Sequence, residues 1–150
     1  MKSRVILIVG IIAIGFLTGC ATPDLYQPPT GNQAELARIR NSDKWFTVVN
    51  VDDKMTLTTM QFILGHYPDM LVLTPGKHHI RAVASIVYKG GAVEHPFSPW
   101  LWLVAKPGND YLLKAELKTN NTITIRFWLE DSVTGKEVGG IAGSDDEPDK

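Results

Sequence analysis

The 150-residue sequence contains a single cysteine, Cys20, and no excess of charge of either sign. One cysteine excludes a framework of intramolecular disulfides and any zinc site built from several cysteines. The 15 Lys and Arg residues against 16 Asp and Glu residues leave a net charge of −1. A near-neutral chain offers no basic surface for a phosphate backbone, so the composition argues against a nucleic-acid partner.

Catalytic motifs are also lacking. Ser98, Ser132 and Ser144 do not lie in a Gly-x-Ser-x-Gly turn, which would expose a nucleophilic serine. Gly135-Lys136 lacks the upstream glycine of a phosphate-binding loop. We therefore predict a protein that is not an enzyme and that holds no metal or cofactor.

The four histidines leave one metalloenzyme alternative open. His78 and His79 are neighbours on a predicted strand, so their side chains point to opposite faces and cannot share an ion. A zinc site built from His66, His95, Glu94 and one of the pair remains conceivable. No regular histidine spacing supports it, and surface or hydrogen-bonded histidines are the simpler interpretation.

The N-terminus has the layout of an export signal. Lys2 and Arg4 precede an uninterrupted apolar run from Val5 to Leu17. Because about 20 apolar residues are needed to span a bilayer, this run is short for a transmembrane helix. A positive start, a short apolar stretch and small residues after it predict a signal helix over residues 1–19.

The residues that end this run are more specific. Leu17-Thr18-Gly19-Cys20 resembles the lipobox of bacterial lipoproteins. The resemblance implies cleavage between Gly19 and Cys20, with diacylglycerol and an N-acyl chain such as palmitate attached to Cys20. Several acyl chains make such an anchor stable. Position 21 is Ala rather than the Asp that favours inner-membrane retention, so we expect an outer-membrane lipoprotein facing the periplasm, with the leaflet left open.

Composition divides the mature chain into three parts. Residues 20–33 are rich in proline, including Pro28-Pro29, and predict a flexible tether behind the lipidated cysteine. Residues 143–150 are acidic and lack large apolar groups, which is typical of a solvated, disordered tail. Residues 34–142 between them form the predicted folded domain.

The middle part has the pattern of β-structure. Short runs of β-branched and aromatic residues alternate with Gly, Pro and Asn turns, and only Ala34 to Arg40 suggests a helical repeat. The predicted strands cover Trp45–Val51, Met70–Leu73, His78–Tyr88, Trp100–Val104, Tyr111–Lys118, Thr122–Leu129 and Glu137-Val138. We predict an all-β domain, a single antiparallel β-sandwich of about seven strands.

Three segments carry a family resemblance. Val51-Asp52-Asp53, Leu71 to His78 and Lys106 to Tyr111 resemble a pattern of small bacterial lipoproteins with a transthyretin-like or immunoglobulin-like β domain of uncharacterised function. The resemblance spans residues 34–138. It implies an architecture and supplies no catalytic residues.

Aromatic residues are the best candidates for a binding site. Trp100 and Trp102 alternate with Leu101 and Leu103, so the predicted strand is apolar on both faces. Either the tryptophans fill the core and the N-terminal segment covers the leucines, or the tryptophans face outward. An outward pair, extended by Phe97, is suited to a protein pocket or to stacking on sugar rings.

These features predict a membrane-anchored, non-enzymatic binding or assembly module for another protein of the cell envelope. The alternative is a carbohydrate- or peptidoglycan-binding module that uses Trp100 and Trp102. The oligomeric state stays open.

Overall fold

The computed structural model describes residues 24–58, 61, 64–120 and 122–148. The predicted signal peptide, Gly19 and Cys20 lie outside the described residues. Twelve strands are assigned within the described part. They are β1 Ala37–Asn41, β2 Phe46–Val51, β3 Lys54–Met55, β4 Met70–Leu73, β5 Gly76–Ala84, β6 Ile86–Val87, β7 Val93–Glu94, β8 Leu101–Ala105, β9 Asp110–Asn120, β10 Thr122–Asp131, β11 Glu137–Val138 and β12 Gly140–Ile141.

The strands form two five-stranded sheets and one small ribbon. Sheet I has the order β11-β10-β9-β1-β4, and sheet II has the order β12-β8-β5-β2-β3. Strands β6 and β7 pair separately as a two-stranded ribbon. All paired strands are antiparallel except β1 and β9, which run parallel with Ile39 opposite Tyr111.

The two large sheets share one hydrophobic core. Strands β1, β4, β9 and β10 of sheet I and strands β2, β5 and β8 of sheet II all contribute buried side chains to it. The largest fully buried apolar side chains are Tyr111, Ile39, Leu73, Ile80, Leu103, Leu113 and Leu129. The all-β class is therefore confirmed. The strand count of about seven and the purely antiparallel arrangement are corrected, because the described residues form twelve strands, a third sheet and one parallel pair.

Strand β5 shows how local alternation sets a face. His78, Ile80, Ala82 and Ala84 are buried, whereas Lys77, His79 and Arg81 alternate with them on the outer side. This is the predicted two-residue period of a strand. The predicted strand continued to Tyr88, but β5 ends at Ala84 and the chain restarts as the β6–β7 ribbon, which turns at Gly90 and Gly91 with φ values of 109° and 87°.

The stretch with a possible helical repeat, Ala34 to Arg40, contains a central strand instead. Ala37 and Ile39 are buried in β1, and Arg38 and Arg40 both reach Asp110 at the start of β9. Two apolar residues at alternate positions suffice for a five-residue strand that has a neighbour on each side.

The predicted tether is attached to the domain near its beginning. The backbone N–H of Tyr26 donates to the carbonyl of Met55 (2.7 Å), and the N–H of Met55 donates to the carbonyl of Asp24 (3.0 Å). The Tyr26 hydroxyl donates to the carbonyl of Val72 (2.7 Å). Within the tether predicted for residues 20–33, Asp24 and Tyr26 are thus hydrogen-bonded to β3 of sheet II and to β4.

Candidate functional site

Burial along strand β8 shows which way the side chains of Trp100 and Trp102 point. Leu101 and Leu103 are 3% and 1% exposed and belong to the shared core. Trp102, between them, is half-buried on the outer face of sheet II, and Trp100 precedes the strand on the same side. The arrangement in which the tryptophans fill the core is therefore wrong, and the outward-facing alternative is the observed one.

Trp100 and Phe97 meet an arginine on this outer face. The guanidinium carbon of Arg81 lies 4.8 Å from the ring centroid of Phe97 and 5.9 Å from that of Trp100. Cations over aromatic faces at such distances are attracted by the ring quadrupole. Phe97 remains 51% exposed. We call Arg81, Phe97 and Trp100 the aromatic–arginine cluster.

Backbone pairing holds Phe97 in place beside β5. The hydroxyl of Ser98 accepts a hydrogen bond from the N–H of Ala82 (2.9 Å), and the Ser98 N–H donates to the Ala82 carbonyl (2.8 Å). The N–H of Ala84 donates to the carbonyl of Pro96 (3.0 Å). Ser98 is 2% exposed. Its hydroxyl therefore organises the segment that presents Phe97 and is engaged by backbone groups on both sides.

Trp102 is not available as an open stacking surface. A Cβ atom on Gly140 would lie 2.9 Å from the indole Nε1 of Trp102 and 3.1 Å from Oδ2 of Asp146. The indole Nε1 of Trp102 and Nε of Arg81 are buried and have no hydrogen-bond partner among the described residues.

The C-terminal segment, residues 139–148, packs on the outer face of sheet II. Oε1 of Glu147 lies 2.6 Å from Nζ of Lys77 and 2.8 Å from Nε2 of His79. Its other oxygen accepts a hydrogen bond from the N–H of Gly143. This bond, together with those from His79 and Lys77, lowers the pKa of Glu147 to about 2. The disordered acidic tail predicted for residues 143–150 is corrected up to Pro148, whose carbonyl also accepts from Lys77.

A buried histidine lies near the N-terminal attachment, beside the turn between β2 and β3. Nδ1 of His78 lies 2.6 Å from Oδ2 of Asp52, and Nε2 lies 2.8 Å from the carbonyl oxygen of Thr74. Asp52 and its neighbour Asp53 have positive φ values of 47° and 66°, as a tight two-residue turn between β2 and β3 requires. Both ring nitrogens of His78 are engaged, so this pair fastens the turn to β5 and leaves neither nitrogen open to a substrate.

The metal alternative finds no support in this geometry. Glu94 accepts a hydrogen bond from the hydroxyl of Tyr88 (2.8 Å), and Nδ1 of His95 lies 3.2 Å from the hydroxyl of Ser85. Over the residues that the structure describes, no three His, Cys, Asp or Glu side chains come together as a possible metal site. His66 and the other predicted ligands are therefore not gathered there.

Arg81 and Glu147 are not among the site residues that the sequence predicts. The contact of Arg81 with Trp100 depends on how β5 pairs with β8, which no local pattern reveals. Glu147 lies in the predicted acidic tail. Its binding to Lys77 and His79 depends on the course of the chain after β11.

Among the described residues, no helix is both long and apolar enough to cross a bilayer. No family model, curated protein or solved structure matches this chain. The function is therefore inferred from residues and geometry.

Proposed function

We propose that the chain is a lipid-anchored protein of the bacterial cell envelope whose β domain binds another envelope protein through the aromatic–arginine cluster. The observation that carries the binding role is Arg81 stacked against Phe97 and near Trp100 on the outer face of sheet II. A few hot-spot residues supply most of the binding energy in protein interfaces, and they are enriched in tryptophan, tyrosine and arginine. The half-exposed ring of Phe97 offers apolar area that a partner would cover.

The carbohydrate alternative has weaker support. A sugar-binding platform requires open aromatic faces, whereas the indole edge of Trp102 lies close to Gly140. Arg81 stands over the ring of Trp100. We therefore favour a protein partner, and a carbohydrate partner becomes an outcome of the experiment below.

The anchor part of the proposal rests on the lipobox resemblance at residues 17–20. With Cys20 lipidated, only residues 21–23 separate it from Asp24, which is hydrogen-bonded to Met55. Four residues span at most about 14 Å when fully extended. The β3 edge of sheet II would then lie close to the lipid headgroups, rather than at the distance that a tether of a dozen residues would allow.

Crosslinking in intact cells tests the binding role. A photoreactive amino acid at position 97 of the full chain should capture one defined envelope protein, and Trp100→Ala should lower the yield about tenfold or more, as for an interface hot spot. The same amino acid at Val133, which is 90% exposed on the β10–β11 turn, is the matched control. Equal capture at both positions, or capture that Trp100→Ala leaves unchanged, would contradict the proposal. Capture of glycan strands alone would favour the carbohydrate alternative.

Lipidation has its own test. Cys20→Ser should abolish acyl labelling and leave an uncleaved precursor in the membrane fraction. Normal processing of this variant would refute the anchor without affecting the binding role.

A further inference from the structure

Strand β10 is paired along only part of its outer edge. It pairs with β9 over its whole length, from Thr122 to Asp131. On the other side, β11 pairs with Leu129 and Glu130 alone. The chain leaves sheet I at Gly139, which has a φ of 80°, and joins sheet II as β12. The position that a longer β11 would occupy beside residues 124–128 is therefore vacant in the described part of the molecule.

The backbone groups that face this vacancy can be identified. The N–H of Asp131 donates to the carbonyl of Lys136, so the backbone of Asp131 points towards the β11 side. The register between β9 and β10 has no bulge. The N–H and C=O groups of successive β10 residues therefore point alternately towards β9 and towards the β11 side. By this alternation, the N–H and C=O groups of Ile125 and Phe127 point towards the open edge. No hydrogen bond within the described residues satisfies them.

An apolar cavity of about 470 Å³ runs along this edge. Its wall includes all five consecutive residues from Ile125 to Leu129. Side chains of a strand alternate between two faces, so a cavity that touches consecutive residues must lie against the strand's edge. Leu101, Pro99 and Val138 form the apolar wall opposite. A second cavity of about 240 Å³, bordered by Phe97 and Ile86, continues along β10 from Thr124 to Phe127.

The charges around the two cavities are mostly negative. Arg126 is the one basic residue among those that line them, and it is bound by Glu137 at 2.6 and 2.9 Å. With Arg126 neutralised by Glu137, one further carboxylate remains beside each cavity, Glu94 beside the smaller and Asp146 beside the larger.

We infer that this edge groove, formed by β10 and the two cavities, accepts an extended peptide segment of a partner protein as an added strand of sheet I. The unpaired groups of Ile125 and Phe127 supply main-chain hydrogen bonds, as in other cases of strand addition. The cavities take apolar side chains at alternate positions of the segment. Glu94 and Asp146 select basic residues in the segment. This surface is distinct from the contact at Arg81 and Trp100, although Phe97 borders both.

A designed peptide tests the groove directly. The probe is the acetylated and amidated peptide Lys-Val-Thr-Val-Thr-Val-Lys, added to the full chain in detergent micelles. We expect the amide protons of Ile125 and Phe127 to exchange with solvent at least tenfold more slowly when the peptide is bound. A peptide with proline in place of the central valine lacks the central N–H and should protect neither amide. Equal protection by both peptides, or none by either, would overturn the inference.

Variants of the chain localise the contact. Ile125→Lys places an inward charge on the edge strand, which blocks pairing, and should lower peptide affinity at least tenfold. Val133→Lys adds the same charge on the exposed β10–β11 turn, outside the lining of both cavities, and should leave affinity unchanged. Glu94→Gln keeps an acceptor for Tyr88 but removes the negative charge, and should weaken binding about twofold to fivefold. Unchanged affinity in both groove variants would overturn the inference. So would a dimer whose Ile125 and Phe127 amides are protected without peptide, because the occupant would then be a second copy.

Discussion

Glu147 and Lys77 form an ion pair on the outer face of sheet II, with Oε1 and Nζ 2.6 Å apart. The same carboxylate oxygen lies 2.8 Å from Nε2 of His79, so one acidic side chain joins the end of the chain to two residues of β5. The C-terminal segment therefore belongs to the folded domain. Beyond β12, residues 143–148 are held on this face by the charge of Glu147 and by the hydrogen bond from Lys77 to the Pro148 carbonyl.

Because the Glu147 carboxylate must be ionised to bind Lys77, we expect acid to release residues 143–148 from sheet II. The pKa of Glu147 falls from 4.5 to about 2 in the folded protein, because the carboxylate accepts hydrogen bonds from Gly143, His79 and Lys77. A group with a lowered folded-state pKa stabilises the fold above its unfolded pKa, and the contribution is lost as the pH falls through the folded value. Between about pH 4.5 and pH 2, we expect the N–H of Gly143 to lose protection in hydrogen exchange, ahead of the core strands.

A matched pair of variants checks this assignment. Glu147→Gln should release the segment already at pH 7 and make residues 143–148 accessible to carboxypeptidase. Asp145→Asn removes an exposed neighbouring acid and should leave digestion at the wild-type rate. If the two variants are digested alike, Glu147 is not the attachment point.

The N-terminal attachment gives a second prediction. Burial, and to a lesser extent the negative charge of Asp52, raise the pKa of Tyr26 to about 12. Hydrogen bonding to Glu94 also raises the pKa of Tyr88, so the ultraviolet titration is made in a Tyr88→Phe background. It should show a late tyrosine transition that disappears when Tyr26→Phe is added. Loss of the hydrogen bond to Val72 should also lower the free energy of unfolding by about 1 kcal/mol. A late transition that persists in the variant would assign it to another tyrosine.

Local alternation predicted much of this fold, because side-chain direction in a strand depends only on sequence position. The buried row of β5 from His78 to Ala84 follows from the period of two alone. The four residues of β4 also have the predicted bounds. Such patterns reflect one strand at a time, and they are insensitive to which strands become neighbours.

Pairing between distant strands could not be predicted in this way. The parallel contact of β1 with β9 places Arg38 3.4 Å from Asp110, and nothing near either residue indicates the other. The same limit applies to the candidate site. Alternation put Trp100 and Trp102 on one face, but whether that face met the core depended on the partner sheet. The contact with Arg81 depended on the β5–β8 register.

Adjacent residues of β8 provide a third prediction, which tests the direction of that strand. Leu103 is 1% exposed in the core and Val104 is 42% exposed on the opposite face. Leu103→Ala should lower the free energy of unfolding by about 2–5 kcal/mol, because it removes buried apolar contacts and leaves a cavity. Val104→Ala should change it by less than about 0.5 kcal/mol. Chemical denaturation gives both values, and similar losses would mean that β8 does not present Leu103 to the core.

The crossing of the chain between the two sheets gives the last prediction. Gly139 has a φ of 80°, and a Cβ atom placed there would lie 2.1 Å from the carbonyl oxygen of Trp102. Gly135 has a similar φ of 66°, but a Cβ atom there would have no atom within 4 Å. Gly135→Ala therefore carries only the cost of a left-handed backbone, about 1 kcal/mol. Gly139→Ala carries that cost and a clash with backbone that cannot move independently of β8.

Equilibrium unfolding of the two variants separates the effect of the contact between position 139 and the Trp102 carbonyl from the effect of a positive φ. We expect Gly139→Ala to lose at least about 1 kcal/mol more than Gly135→Ala, in the range of other overpacked sites. The additional loss of unfolding free energy in Gly139→Ala should be accompanied by faster hydrogen exchange at Ile141, whose strand β12 pairs with β8. Equal losses in the two variants would mean that the chain does not cross beside Trp102, and the vacant edge of β10 would then need another explanation.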